Sequence, residues 1–222
     1  MNPNRLYEKY LIKVEKNSTN DNFSTDRGKF AELYNEISVR FIKLFLNNRN
    51  FDNLKDIQVL LINDLPLTPD ISQEDFKSFQ LPPNFLSWSF AKAKASKGEC
   101  TEQDIGLYEI RDEDRADFTN NTFFKPSFAF REAPYNYTEN NIKVYTEEEM
   151  TITELLLTYY KYPKKIILQD TENPESQFED TEIELPEHIV DRIISGMVGD
   201  FKINTSDPTY EIEKFRQNEN VQ

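Results

Sequence analysis

Apolar residues recur at three- and four-residue steps toward both ends of the chain and at two-residue steps in the middle, a pattern that predicts helices flanking strands. Tyr7, Tyr10, Leu11 and Val14 share one side of a short amphipathic helix. Residues 17–25 break that spacing with Asn, Ser, Thr and Asp, as a loop does. Phe30, Leu33, Tyr34, Ile37, Phe41, Leu44 and Phe45 then define one broad apolar face and predict a helix over 26–47. Thr25 or Asp26 can cap its start, and Asn47-Asn48-Arg49-Asn50 supplies its stop. Ile57, Leu60 and Leu61 suggest a shorter helix that ends near Pro66 and Pro69.

Beyond Leu81-Pro82-Pro83-Asn84 the period changes to two. Leu86, Trp88 and Phe90 alternate with small or polar residues, then Ala91, Ala93 and Ala95 alternate with Lys92 and Lys94, which predicts a strand with one wet face. Residues 105–110 read as another strand. Residues 128–131 and 141–145 are expected to pair across a turn-rich stretch, 134–140. Residues 155–160 show little alternation, so they are expected to be buried on both sides at the centre of the sheet, and 166–168 to form a short strand. Residues 171–187 are acidic and poor in apolar types, as an exposed loop would be. Pro186 and Glu187 suit the first turn of a helix over 186–198, whose apolar face is Ile189, Val190, Ile193, Ile194 and Met197, with Gly199 as its stop. The expected fold class is α+β: N- and C-terminal helices packed with a central, mainly antiparallel β-sheet. One principal domain spans 1–200 (helical 1–65, β-rich 81–170, helix 186–198).

The tail 201–222 is polar, and Tyr210, Ile212 and Phe215 are its spaced anchors. We expect a docking arm whose partner-contacting residues are these three, against the simpler alternative of a frayed terminus.

Charge sharpens this picture. With 40 acidic against 26 basic residues the net charge is −14, which repels nucleic acid at long range and gives no basic stripe for phosphates. No apolar run reaches the roughly 18 residues of a membrane span, and the N-terminal residues lack a signal peptide's apolar segment, so the expectation is a soluble protein made in the cytoplasm.

Candidate chemistry is sparse. Cys100 is the only cysteine, read as a small buried hydrophobe rather than a nucleophile. His188 is the only histidine, and its place at the start of a helix suits capping or solvent better than a triad with Cys100. The five glycines form no phosphate-cradling loop, and Gly28-Lys29 fits a helix N-terminus. Acidic pairs such as Asp112/Asp114 and Glu147/Glu149 follow from composition, and the stretch 111–115 lacks a calcium loop's glycine. The expectation is no catalytic residue, no metal and no cofactor: not an enzyme.

Several stretches, in order along the chain, resemble a family of head–tail connector (adaptor or ring) proteins from crAss-like and related phages of Bacteroides-type hosts. They include Ser24-Thr25-Asp26-Arg27-Gly28-Lys29-Phe30, Asp56-Ile57-Gln58-Val59-Leu60-Leu61, Leu81-Pro82-Pro83-Asn84-Phe85 and the lysine–alanine strand running to Cys100. Further along come Lys125-Pro126-Ser127-Phe128, Val144-Tyr145, Leu156-Leu157-Thr158-Tyr159-Tyr160-Lys161-Tyr162-Pro163 and Val190-Asp191-Arg192-Ile193-Ile194. The resemblance implies a helical part joined to a β-sheet part and a homo-oligomeric ring, twelvefold in the family. It also implies a place in the virion at the head–tail junction, with a portal protein and neighbouring tail or ring proteins as partners. DNA would pass through without specific binding, and no membrane is involved. The acidic loop 171–187 has no assigned place in such a ring. Two other classes remain open: an acidic binding module or inhibitor acting on a basic host protein, and a carboxylate-dependent enzyme with convergent acids in a pocket.

Overall fold

The computed structural model describes residues 2–17, 26–48, 51–73, 75–111, 125–138, 140–168 and 182–204. Its contacts divide the chain into two compact units within the span for which the sequence suggested one domain. Residues 1–60 and 163–222 form a helical unit, and residues 61–162 a sheet unit. Helices together with a large, mostly antiparallel sheet make the fold α+β.

The helical unit contains α1 (Pro3–Asn17), α2 (Arg27–Asn48), the short α3 (Phe51–Asp56) and α4 (Glu187–Asn204). Asp26 caps α2: its carbonyl accepts the Phe30 N–H at 3.0 Å and its carboxylate the Lys29 N–H at 3.4 Å. Leu6, Tyr10 and Val14 face inward from α1, and Phe30 packs edge-on against Tyr7 at 5.2 Å. On α2 the buried stripe is rotated from the expected face toward Ala31, Ser38 and Ile42, which leaves Leu44 at its rim and 52% exposed. Ser38 is tolerated inside because its hydroxyl donates to the Tyr34 carbonyl at 2.6 Å.

All five apolar positions expected on α4 are buried, and α4 packs against α2 and α1. Arg192 lies over the rings of Phe41 and Phe45 at 5.3 and 5.2 Å. Lys9 binds Glu187 at 2.6 Å and Asp191 at 3.3 Å. Gly199 is an internal residue of α4, which continues to Asn204; a lone glycine weakens a helix without ending it. Residues 166–168 form no strand. The Asn35 side chain instead receives the Ile166 N–H at 2.9 Å and donates to its carbonyl at 3.1 Å, as a neighbouring strand would.

The sheet unit has eight strands, β1 (Leu61–Leu67), β2 (Ile71–Ser72), β3 (Phe76–Gln80), β4 (Phe85–Lys97), β5 (Gln103–Glu109), β6 (Glu132–Thr138), β7 (Asn141–Tyr145) and β8 (Met150–Lys161), in the order β1-β8-β4-β5-β6-β7-β3-β2. All pairs are antiparallel except β5–β6. The two edge strands, β1 and β2, are joined directly by residues 68–70, so the sheet must curl until its edges approach each other there. Side chains on the concave face converge, which suits the small Ala91, Ala93 and Ala95 on β4 facing Ile105, Leu155 and Leu157. Along β4 the pairing slips between Trp88 and Phe90. That irregularity moves the inward face from the even positions to the odd, so Trp88 packs against the core while Phe90 points out.

Three expectations fail here. Leu61 begins β1 rather than extending a helix, and Pro66 lies inside that strand; β1 is an edge, so the missing N–H breaks no inner ladder. Residues 128–131 are a turn, and the stretch from 134 that was expected to turn is mostly β6, which pairs with β7 from Tyr135 onward. Finally, β8 is second in the order rather than central, and its burial alternates: Leu155, Leu157 and Tyr159 face the core, whereas Leu156 is half-buried in register between Pro66 and Lys92.

Candidate functional site

Tyr210, Ile212 and Phe215 lie outside the described residues, as do Asp112, Asp114 and residues 171–181 of the acidic loop. The remaining candidates can be placed. His188 is exposed in the first turn of α4, with Nε2 3.0 Å from an Asp56 carboxylate oxygen, so it clips α4 to the end of α3. Cys100 is exposed, not buried as expected. It follows the end of β4 in a turn where Gly98 takes a φ of 55° and the Cys100 N–H reaches the Lys97 carbonyl at 3.0 Å. His188 belongs to the helical unit and Cys100 to the sheet unit. Glu147 receives the Phe128 N–H at 2.8 Å and pairs with Lys97 at 3.0 Å, which is a structural duty. Among the described residues no three His, Cys, Asp or Glu side chains gather as a metal site would require.

The outer face of β4 carries the lysines of the alternating strand, and neighbouring strands answer them. Lys92 meets Asp104 on β5 at 2.9 Å, and Lys94 meets Glu154 on β8 at 2.7 Å. The Asp104 hydrogen bond raises the Lys92 pKa and is the main cause of the lowered Asp104 pKa; Glu154 does the same for Lys94. Thr153 links this face further, donating to Glu102 at 2.5 Å. Register explains the matching, since Lys94 stands directly between Asp104 and Glu154. Sequence reasoning saw the lysines but not their partners, because the partners are set by pairings between distant segments. A face of this kind holds its cations already matched and has little to offer a phosphate.

A second feature was not anticipated. Residues 127–132 form a tight turn closed by Ser127 N–H to the Glu132 carbonyl at 2.8 Å and Glu132 N–H to the Ser127 carbonyl at 3.1 Å. Its base is anchored by Glu147, by Gln103 donating to the Phe128 carbonyl at 2.7 Å, and by Gly106 N–H to the Arg131 carbonyl at 2.7 Å. Arg131 takes a φ of 59°, a left-handed conformation that costs a non-glycine residue on the order of 1 kcal/mol. Phe130, beside it, is 82% exposed. At the other end of β6 an open depression of about 450 Å³ is lined by Asp70, Gln80, Thr138, Asn140 and Asn141, all polar.

No helix among the described residues is long and apolar enough to cross a membrane. In comparisons with known proteins, no protein-family model and no curated protein matches the sequence.

Proposed function

We propose that this chain is a virion structural protein that assembles as a closed homo-oligomeric ring in a head–tail connector, below a portal protein and around the channel that DNA travels. The sequence resemblance suggests the role, and the neutralised lysine face is the observation that carries it furthest. A protein beside moving DNA must avoid lasting phosphate contacts, and here the lysines of the alternating strand are matched by carboxylates within a chain of net charge −14. A ring also needs two different contact patches on each subunit, because its interfaces are heterologous. The tail beyond Asn204, with Tyr210, Ile212 and Phe215, supplies aromatic and aliphatic anchors for a portal or neighbouring ring.

The test is stoichiometry in purified particles, by quantitative mass spectrometry with cryo-electron microscopy of the head–tail vertex. Many copies in one ring are expected; absence from the particle, or a single copy, would falsify the assignment. Truncation after Asn204 addresses the arm. The shortened chain is expected to keep its thermal midpoint while losing incorporation into particles, and normal incorporation would remove the arm from the proposal. The net charge also favours a second reading, an acidic inhibitor, which would remain monomeric until it met a basic host protein.

A further inference from the structure

We propose that the open depression at the end of β6 is a binding site for a neutral glycan, a reading independent of the ring assignment. Its lining is built by strand register. Gln80 on β3, Asn141 on β7 and Thr138 on β6 are paired directly across three adjacent strands. Their neighbours Phe79, Ile142 and Tyr137 pack on the core, so these three side chains stand abreast on the outer face, about 4.8 Å from strand to strand. Asp70 and Asn140 complete the lining, and main-chain bonds hold both. The Asp70 N–H donates to the Ser78 carbonyl at 2.8 Å, and the Asn140 carbonyl accepts the Leu81 N–H at 2.7 Å. The site is therefore preformed, which lowers the ordering cost of binding. Ser78 adds an independent sign. It shares the outer face with Gln80, two residues along β3, and is fully buried, yet its hydroxyl has no hydrogen-bond partner among the described residues. Packing alone would favour an apolar residue there, because an orphaned buried hydroxyl is destabilising.

The groups present select the ligand. Asn, Gln and Thr side chains each donate and accept hydrogen bonds, and so does every hydroxyl of a sugar. The Asp70 carboxylate can accept from two neighbouring hydroxyls at once. A phosphate or other anion meets no cation among the described lining residues and faces a chain of net charge −14. A divalent metal wants several oxygen ligands of which carboxylates are the strongest, and Asp70 is the only carboxylate among the described lining residues. Ligands that are mainly apolar need apolar walls, which this lining does not provide. Ile71, next to Asp70 and opposite Ser78 on the same face, is 46% exposed and offers a surface for the C–H side of a sugar ring. The volume of about 450 Å³ falls within the roughly 300–1,000 Å³ of small-molecule sites, and its open form admits a segment of a longer glycan.

The test screens the purified full-length protein on an array of neutral oligosaccharides (glucans, mannans, galactans and chitin fragments) with sialylated and sulfated glycans alongside. Binding to a subset of the neutral members is expected. Calorimetric titration with the strongest of them should show at least a tenfold loss of affinity in D70A/Q80A, both exposed positions, with the thermal midpoint unchanged. Should that doublet melt lower, N140A, which keeps the main-chain bond to Leu81, is expected to weaken binding as well. No bound neutral glycan, a preference for the charged ones, or an affinity that both variants retain would overturn the inference. So would a rise in thermal midpoint on adding calcium chloride alone that D70A/Q80A abolishes, since the depression would then be a cation site.

Discussion

The helical unit is closed by residues from the two ends of the chain, whereas the sheet unit is built from one continuous stretch. In the first, Lys9 reaches Glu187 and Asp191, Lys13 reaches Ser195, and Arg192 covers Phe41 and Phe45, so side chains alone join helices that are remote in sequence. In the second, main-chain ladders join the strands and fix which face each residue takes. A helix can rotate a little about its axis and still bury most of its stripe, as α2 does in hiding Ile42 and showing Leu44. A strand cannot rotate by part of a residue, because any slip exchanges its two faces. The helical unit is therefore the more forgiving of sequence change, and the sheet unit the more exacting.

The largest expected effect tests the sheet. Leu157→Ala removes a fully buried side chain and should cost about 2–5 kcal/mol, read as a shift in the urea midpoint. Leu156→Ala, one residue away on the opposite face, should cost clearly less. Equal losses would mean that β8 is buried on both sides after all.

Next is the alkaline limb, where each unit holds a buried tyrosine. Burial pushes the Tyr34 phenol in the helical unit up to about 12, against a smaller lowering by Ser38, and burial is likewise the first cause that brings Tyr135 in the sheet to about 12. A raised pKa means that the folded protein holds the proton more tightly than the unfolded chain does. The resulting stability is fully present below pH 10, the ordinary tyrosine value, and is lost as pH rises toward 12. For Tyr34 the loss is about 2–3 kcal/mol. Tyr34→Phe should flatten the decline of helical circular dichroism over that range, and a decline as steep as the parent's would assign it to other groups.

The smallest effect on stability is expected from Asp104→Asn with Glu154→Gln. Both carboxylates are at the surface, so the fold should hold, but Lys92 and Lys94 lose their partners. The variant should be retained on heparin at low salt where the parent flows through, and the retention should fall steeply as salt is added. If parent and variant elute together, ion pairing is not what keeps this face from phosphates.

Much of the fold was legible because its signals are local. The faces of α1 and α4 follow from their own spacing, whereas the slip that turns Phe90 outward, away from the side of Trp88, was not read from the two-residue period. What was missed depends on partners elsewhere. Pro66 reads as a helix end until β1 is known to be an edge, and residues 166–168 read as a strand until Asn35 is seen to occupy the place of a neighbour. Residues 128–131 show how a turn can hide: Phe128 and Phe130 alternate as strand residues do, and only the closure between Ser127 and Glu132 reveals the reversal. For the candidate site, the sequence announced the lysines but not the carboxylates that meet them. It gave no sign that Phe130 would stand in solvent.

The pairing of Leu61 with Tyr160 brings the entry and exit of the sheet unit side by side, so its strands form a closed excursion from the helical chain. Order of synthesis then matters. After α2 has left the ribosome, about 140 further residues must be made before α4 begins, which at roughly 5–20 residues per second takes about 7–28 s. Throughout that interval Phe30, Tyr34 and Ile42 lack the helix α4 that packs on α2, whereas the sheet unit holds every residue its own ladder requires once residue 162 is made, before α4 begins. The nascent chain thus completes its middle before its beginning. The first helices are the segment for which a chaperone has most to do.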